Sequence, residues 1–129
     1  MAGYSATPQA RKLGIKPGHR VCLDHAGGWR LADPPPIEYV DEGPADVIVA
    51  CVRAAAELGR VAELGQRVFP DGALWIAWPR KAAGHRSDVT ENGIREAALP
   101  LGLVDVKVAA LDDDWSGLKL VWRRENRKF

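Results

Sequence analysis

Three clusters in this sequence have the residue types and spacing to do chemistry. Asp24-His25-Ala26-Gly27-Gly28 places a carboxylate and an imidazole ahead of a glycine pair. His25 is the histidine best placed for a general base, and Gly27 and Gly28 would let backbone approach a ligand closely. No nucleophile accompanies it, so a loop histidine is the simpler account. Trp78-Pro79-Arg80-Lys81, continuing to His85-Arg86, sets a basic loop beside a large ring, the arrangement that holds a small anion by charge with an aromatic platform next to it. Its simpler account is a solvated loop with a tryptophan covering the end of a sheet. Asp112-Asp113-Asp114-Trp115-Ser116 offers oxygen ligands for a divalent cation, but the rest of a calcium-loop pattern is missing and a polar hairpin turn suffices.

Single residues add to these clusters. Asp41 or Glu42, in an acidic turn, suits the hydroxyls of a ribose, and Arg53 follows an apolar run. Cys22 and Cys51 each lie inside such a run, outside any CxxC or Cys/His cluster, and read as buried filler. No residue qualifies as catalytic, and no set of metal ligands is spelled out.

The elements that must position these residues follow from pattern. Thr7-Pro8 opens a short lead-in helix over Gln9 to Leu13, stopped by Gly14. Arg20 to Leu23 is a first strand. Asp24 to Gly28 breaks it, and only a weak helical turn around Trp29 to Ala32 fits before Pro34-Pro35-Pro36. Ile37 to Val40 alternates as a brief edge strand. Asp46 to Val52, apolar from Val47 on, and Ala73 to Trp78 are continuous enough to be central parallel strands. Between them, Ala54, Leu58, Val61, Leu64 and Val68 recur at helical spacing from Arg53 to Val68, with Arg60, Glu63 and Arg67 on the outer side. Thr90 opens a helix that Pro100 and Gly102 close, and Leu103 to Leu111 and Leu118 to Arg123 alternate as an antiparallel hairpin. In such a sheet ligands bind beyond the carboxyl ends of the strands, so Asp24, His25, Gly27, Gly28, Asp41, Arg53, Trp78, Arg80, Lys81, Trp115 and Ser116 are expected on one shared rim. Trp75, Trp78 and Trp122 fall on strands and read as core or sheet edge; Trp29 and Trp115 are harder to place.

Bulk properties exclude several classes. With 129 residues, 47% hydrophobic, 27% charged and a net charge of +1, the chain suits one compact α/β domain over residues 1–129 and carries no polyanion signature. Met1 to Gly18 never builds the apolar run of a signal peptide, and charges interrupt every hydrophobic stretch before it could span a bilayer. A cytoplasmic protein without membrane contact is expected. Arg123, Arg124, Arg127 and Lys128 belong to a charged, frayed tail (124–129) rather than a nucleic-acid surface, since no aromatic stacking surface accompanies them.

The order of elements resembles a trimmed class I S-adenosylmethionine-dependent methyltransferase, with Lys16-Pro17-Gly18-His19-Arg20-Val21 similar to the approach to that family's first strand. Phe69-Pro70-Asp71-Gly72-Ala73-Leu74-Trp75-Ile76 is similar to its mid-sheet strand opening. The chain also resembles a family of small bacterial proteins known only as a domain of unknown function. That likeness is carried by Ala73 to Pro79, Leu101 to Lys107, Trp115 to Lys119, Leu13 to Lys16 and the Gly3-Tyr4-Ser5, Thr7-Pro8 opening. The methyltransferase resemblance implies a three-layer Rossmann-like fold, a mostly parallel sheet ending in an antiparallel hairpin. It also implies glycines with alternating spacing and a full helix after the first strand, to receive the cofactor. Asp24 to Gly28 and the prolines beyond depart from that pattern. A phosphoryl-accepting receiver domain shares the layout but is excluded, because the third strand ends in Ala50-Cys51-Val52-Arg53 with no aspartate.

The expected function is therefore a non-catalytic or regulatory domain binding a small anionic ligand or a protein at the strand ends. One alternative is an enzyme holding S-adenosylmethionine or another nucleotide by a nonstandard loop; S-adenosylmethionine is not the favoured cofactor. Another is an interaction subunit, a homo-oligomer included, assembling through its sheet edge or exposed tryptophans.

Overall fold

The computed structural model describes residues 8–24, 29–81, 84 and 87–127. The two runs without polar interruption form the middle of the sheet. Val47–Cys51 (β3) and Ala73–Pro79 (β4) are buried at every position, as strands with neighbours on both sides and cover on both faces must be. Arg20–Asp24 (β1) runs parallel to β3, which runs parallel to β4, so that Val21 lies opposite Val47 and Val47 opposite Ala73. Glu38–Tyr39 (β2) adds a two-residue parallel edge to β1. Trp115–Trp122 (β6) runs antiparallel along β4, and Leu103–Ala110 (β5) antiparallel along β6. The six-stranded order β2-β1-β3-β4-β6-β5 is the Rossmann-like, mostly parallel sheet with a terminal hairpin that the pattern implies.

Strand alternation divides the core. Ile48, Ala50, Leu74, Ile76, Leu118 and Leu120 pack under Val61–Arg67 (α2) and Glu91–Ala98 (α3), whose Leu64, Ile94 and Ala98 are buried. Val21, Val47, Val49, Trp75 and Ala77 pack on the other face under Gln9–Leu13 (α1) and the segment carrying Trp29. Indole nitrogens fasten both layers to the sheet. Trp75 Nε1 donates to Leu13 O at 3.1 Å, and Trp122 Nε1 to Gly65 O at 2.9 Å. Gly65 also lets Leu103 pack closely, since a Cβ there would lie 2.9 Å from Leu103 Cδ1. Thr90 caps α3 by accepting from Gly93 N–H at 3.0 Å, and Gly102 ends the following Leu99–Leu101 turn at φ +100°.

Several expectations need correction. Residues 29–37 form no helical turn; the path is irregular, bending at Asp33 (φ +46°) and Pro36, and Trp29, 2% exposed, is packed into the α1-side core. The helix expected from Arg53 to Val68 is two pieces, a 3-10 helix over Ala55–Arg60 followed by α2. Side-chain acceptors take the first amides of that segment: Glu57 Oε2 receives Arg53 and Ala54 N–H, and Asp88 Oδ1 receives Ala55 N–H at 2.7 Å. Pro8 precedes α1 instead of forming its first residue. β6 begins at Trp115, so the acidic turn is shorter than expected; Gly117 sits against Trp75, where a Cβ would come within 3.0 Å of the ring. The tail is not wholly frayed, because Arg124–Asn126 forms a 3-10 turn and Arg127 Nε donates to Trp122 O at 2.8 Å. All five tryptophans are buried, which closes the route to assembly through exposed ones. Among the described residues no helix is long and apolar enough to cross a membrane.

Candidate functional site

Because β1, β3 and β4 are parallel and in register, their carboxyl ends share one edge: Asp24 lies opposite Ala50, and Cys51 opposite Ala77. The hairpin turn rises on the same edge, with Ser116 opposite Trp78 and Trp115 opposite Pro79. Asp24, Arg53, Trp78, Arg80, Trp115 and Ser116 are thus gathered there, with Asp41 following β2. His25, Gly27 and Gly28 lie outside the described residues, as do His85 and Arg86 of the basic loop. Lys81 is described and exposed.

The gathered side chains fall into two groups with different surroundings. Around the hairpin the charges bond to the chain itself. Arg80 N–H donates to Asp114 O at 2.8 Å, and its Nη1 reaches Asp112 O and Asp113 O at 3.4 and 3.3 Å. Asp112 Oδ1 accepts the amides of Asp114 and Trp115 at 2.7 and 2.8 Å, which makes the acidic run a self-bonded turn. No cluster of three or more His, Cys, Asp or Glu side chains arranged to hold a metal occurs among the described residues. Arg53 stacks over the buried Trp115 ring, 5.0 Å from its centroid. Trp78, 9% exposed, points into the core beside Val89 and Ile94, so its ring offers no open platform to the basic loop.

On the β1 side the edge opens into a groove of about 490 Å³ lined by Asp24, Asp41, Glu42, Arg60, Glu63 and Arg67 among others. Cys22 and Asp24 point toward α2 here. Asp24 forms an ion pair with Arg60, both side chains about a quarter exposed. Burial, foremost, pulls the Arg60 guanidinium below its ordinary range, opposed by the charges of Glu63 and Cys22. Arg67 Nε donates to Gly43 O at 2.8 Å, and Nη1 approaches Cys22 Sγ at 3.7 Å. Among the described residues, one nitrogen on each guanidinium, Arg60 Nη1 and Arg67 Nη2, is buried with no hydrogen-bond partner. Such a donor costs about 1–3 kcal/mol until an acceptor arrives.

Sequence reasoning missed these two arginines, assigning them to the solvated side of a helix. The available signal was weak: two cations spaced along a segment that must cross back over a strand ending in aspartate. Cys51, fully buried at the end of β3, is no nucleophile at neutral pH. Burial pushes its thiol up to about 11, with Arg53 opposing and Asp112 adding to the shift.

No family model matches the chain, and no curated protein matches it by sequence. By structure it is similar to the ribosomal protein L11 methylase of Lactobacillus delbrueckii subsp. bulgaricus, with a TM-score of 0.57 and 13% identity over 90% of this chain and 76% of that one. It is similar also to magnesium protoporphyrin IX methyltransferase from Synechocystis PCC 6803, solved with bound SAM, with a TM-score of 0.56 and 13% identity over 83% and 71%. Aeropyrum pernix fibrillarin, in complex with natively bound S-adenosyl-L-methionine, gives a TM-score of 0.55 and 17% identity over 88% and 73%. At these identities the likeness is one of architecture. The chain has the methyltransferase-like α/β fold.

Proposed function

We propose that this chain is a binding or regulatory domain built on the methyltransferase-like fold, and not an enzyme of methyl transfer. Its ligand is a small anion carrying hydroxyl or amine groups, seated in the groove between Asp24, Asp41 and α2. The observation that carries this reading is the pair of guanidinium side chains, Arg60 and Arg67, lining a groove whose other wall bears Asp41 and Glu42. An anionic group satisfies the first, and the carboxylates accept from hydroxyl or amine hydrogens. The non-catalytic part is supported by the fastening of Arg53 and Arg80 to the hairpin, by the protonated Cys51 thiol, and by the helix-free path of residues 29–37 where a cofactor-binding helix would begin.

A second reading, a domain that still holds S-adenosylmethionine, is favoured by Asp41. It follows β2 and lines the groove, the place for a carboxylate that meets a ribose. Thermal denaturation against nucleotides, polyphosphate, S-adenosylmethionine and S-adenosylhomocysteine separates the two, since a ligand of the folded state raises the melting temperature by mass action. The binding-domain reading expects a rise with a hydroxylated anion that Arg67→Met removes. A rise with S-adenosylhomocysteine that Asp41→Ala removes would replace it with the second.

A further inference from the structure

A second cavity, of about 430 Å³, opens at the opposite end of the sheet, where the loops leading into β1, β3 and β4 meet α1 and the outgoing part of β6. Of the residues lining the groove, only Arg67 also lines this cavity. Its charged lining is four cations, Lys16, Arg20, Arg67 and Lys119, against the carboxylates Asp46 and Asp71.

These charges are unequally available. Asp46 Oδ2 accepts the Arg20 backbone N–H at 2.7 Å and lies 3.7 Å from the same residue's Nε, so this pair is largely self-neutralised. Arg67 is engaged with Gly43 and Cys22 as described above. Lys16 and Lys119 have no acidic partner among the described residues. Lys119 stands opposite Trp75 on the face covered by α1, where strand alternation leaves it half-buried instead of in solvent. Its ammonium is held below the ordinary lysine range, first by that burial and then by the positive charges of Lys107 and Lys16. Lys107 gives no relief, because its Nζ donates to Lys12 O. His19 Nδ1 accepts the Lys16 backbone N–H at 3.1 Å, which leaves Nε2 as the ring's hydrogen-bond donor. A partly desolvated Lys119 and an exposed Lys16, neither with an acidic partner among the described residues, beside a histidine donor make an arrangement that a bound anion completes.

We infer that this cavity is a binding site for a small phosphate-bearing molecule, with Lys16 and Lys119 supplying charge and His19 a hydrogen bond. Ammonium groups serve phosphate as point charges, whereas a carboxylate is best met by the planar fork of arginine; Arg20 here is paired with Asp46, and two of the three Arg67 nitrogens are turned to Gly43 and Cys22. The volume is in the range of small-molecule sites. This inference stands apart from the groove and from the function proposed for it except at Arg67, which lines both.

The test is thermal denaturation of the full chain titrated with inorganic pyrophosphate at constant ionic strength, with citrate as the carboxylate comparison. Pyrophosphate is expected to raise the melting temperature saturably. Lys119→Met and Lys16→Ala should each weaken the apparent affinity by about tenfold or more, as the loss of a charge-assisted contact implies. Arg30→Ala, an exposed cation outside the cavity lining, should leave it unchanged. Lys16 lies on an exposed loop, so its variant reports even if Lys119→Met disturbs packing. No rise with pyrophosphate, or a rise that survives both lysine variants, overturns the site. A citrate response equal to that of pyrophosphate overturns its assignment to phosphate.

Discussion

The two ends of the sheet differ in how many of their charges find a partner, although Arg20 and Asp46 are paired where the strands begin. Where β1, β3 and β4 finish, Asp24 pairs with Arg60, Arg53 stacks on Trp115, and Arg80 holds the carbonyls of the hairpin turn. Where the same strands begin, Lys16 and Lys119 stand close together without acidic partners among the described residues. Short connections explain the first case. With no helix between residues 29 and 37, the edge is fastened by side chains, and an ion pair or a cation over a ring does work that helix packing does elsewhere. At the other end α1 and the loops already close the core, so the lysines are free to repel one another.

This contrast is breakable by substitution. The largest effect is expected from Trp115→Ala, which empties a buried ring site and removes the platform under Arg53. A loss of about 3–5 kcal/mol in urea unfolding is expected; a loss near zero would show that the hairpin end does not depend on this packing. Asp24→Ala leaves Arg60 without its counterion and should lose about 1–3 kcal/mol, less than a fully buried pair because both side chains are partly exposed. Equal stability with and without the carboxylate would make the pair ornamental and the contrast false. The smallest effect has the opposite sign. The folded-state pKa of Lys119 is lowered from 10.5, so between that lowered value and 10.5 the unfolded chain binds more protons and the stability of the native protein rises with pH. Below that window the penalty is fully present. Lys119→Met should therefore be slightly more stable than the parent at neutral pH, with an advantage that shrinks as pH approaches 10.5; a variant less stable at neutral pH would place Lys119 among the fastening residues.

Much of this architecture is legible in the residues because the informative patterns are local. Val47 to Cys51 and Ala73 to Trp78 have no polar interruption, and only a strand buried on both faces can use such a run. Thr90 and Pro100 bracket α3, and the alternation after Leu103 sets the hairpin. The segment from Trp29 to Ile37 has neither period, so its irregular path and the burial of Trp29 were not readable; they depend on the surface α1 leaves uncovered. The gathering of Asp24, Asp41, Arg53 and the hairpin on one edge follows from parallel topology alone. How each side chain is used there does not, because the Asp24–Arg60 pair and the Arg53–Trp115 stack join residues distant in sequence. The half-burial of Lys119 was not readable for a related reason: it alternates with Leu118 and Leu120, and only the topology shows that β6 is an interior strand with α1 above that face.

The reading of the whole molecule rests on the claim that a methyltransferase-like sheet here no longer serves a methyl donor. Equilibrium titration of the full chain with S-adenosylhomocysteine, followed by isothermal calorimetry, tests it most directly. No saturable heat is expected up to millimolar ligand. One-to-one binding that Asp41→Ala abolishes would contradict the claim and return the domain to the methyl-transferring enzymes whose fold it shares.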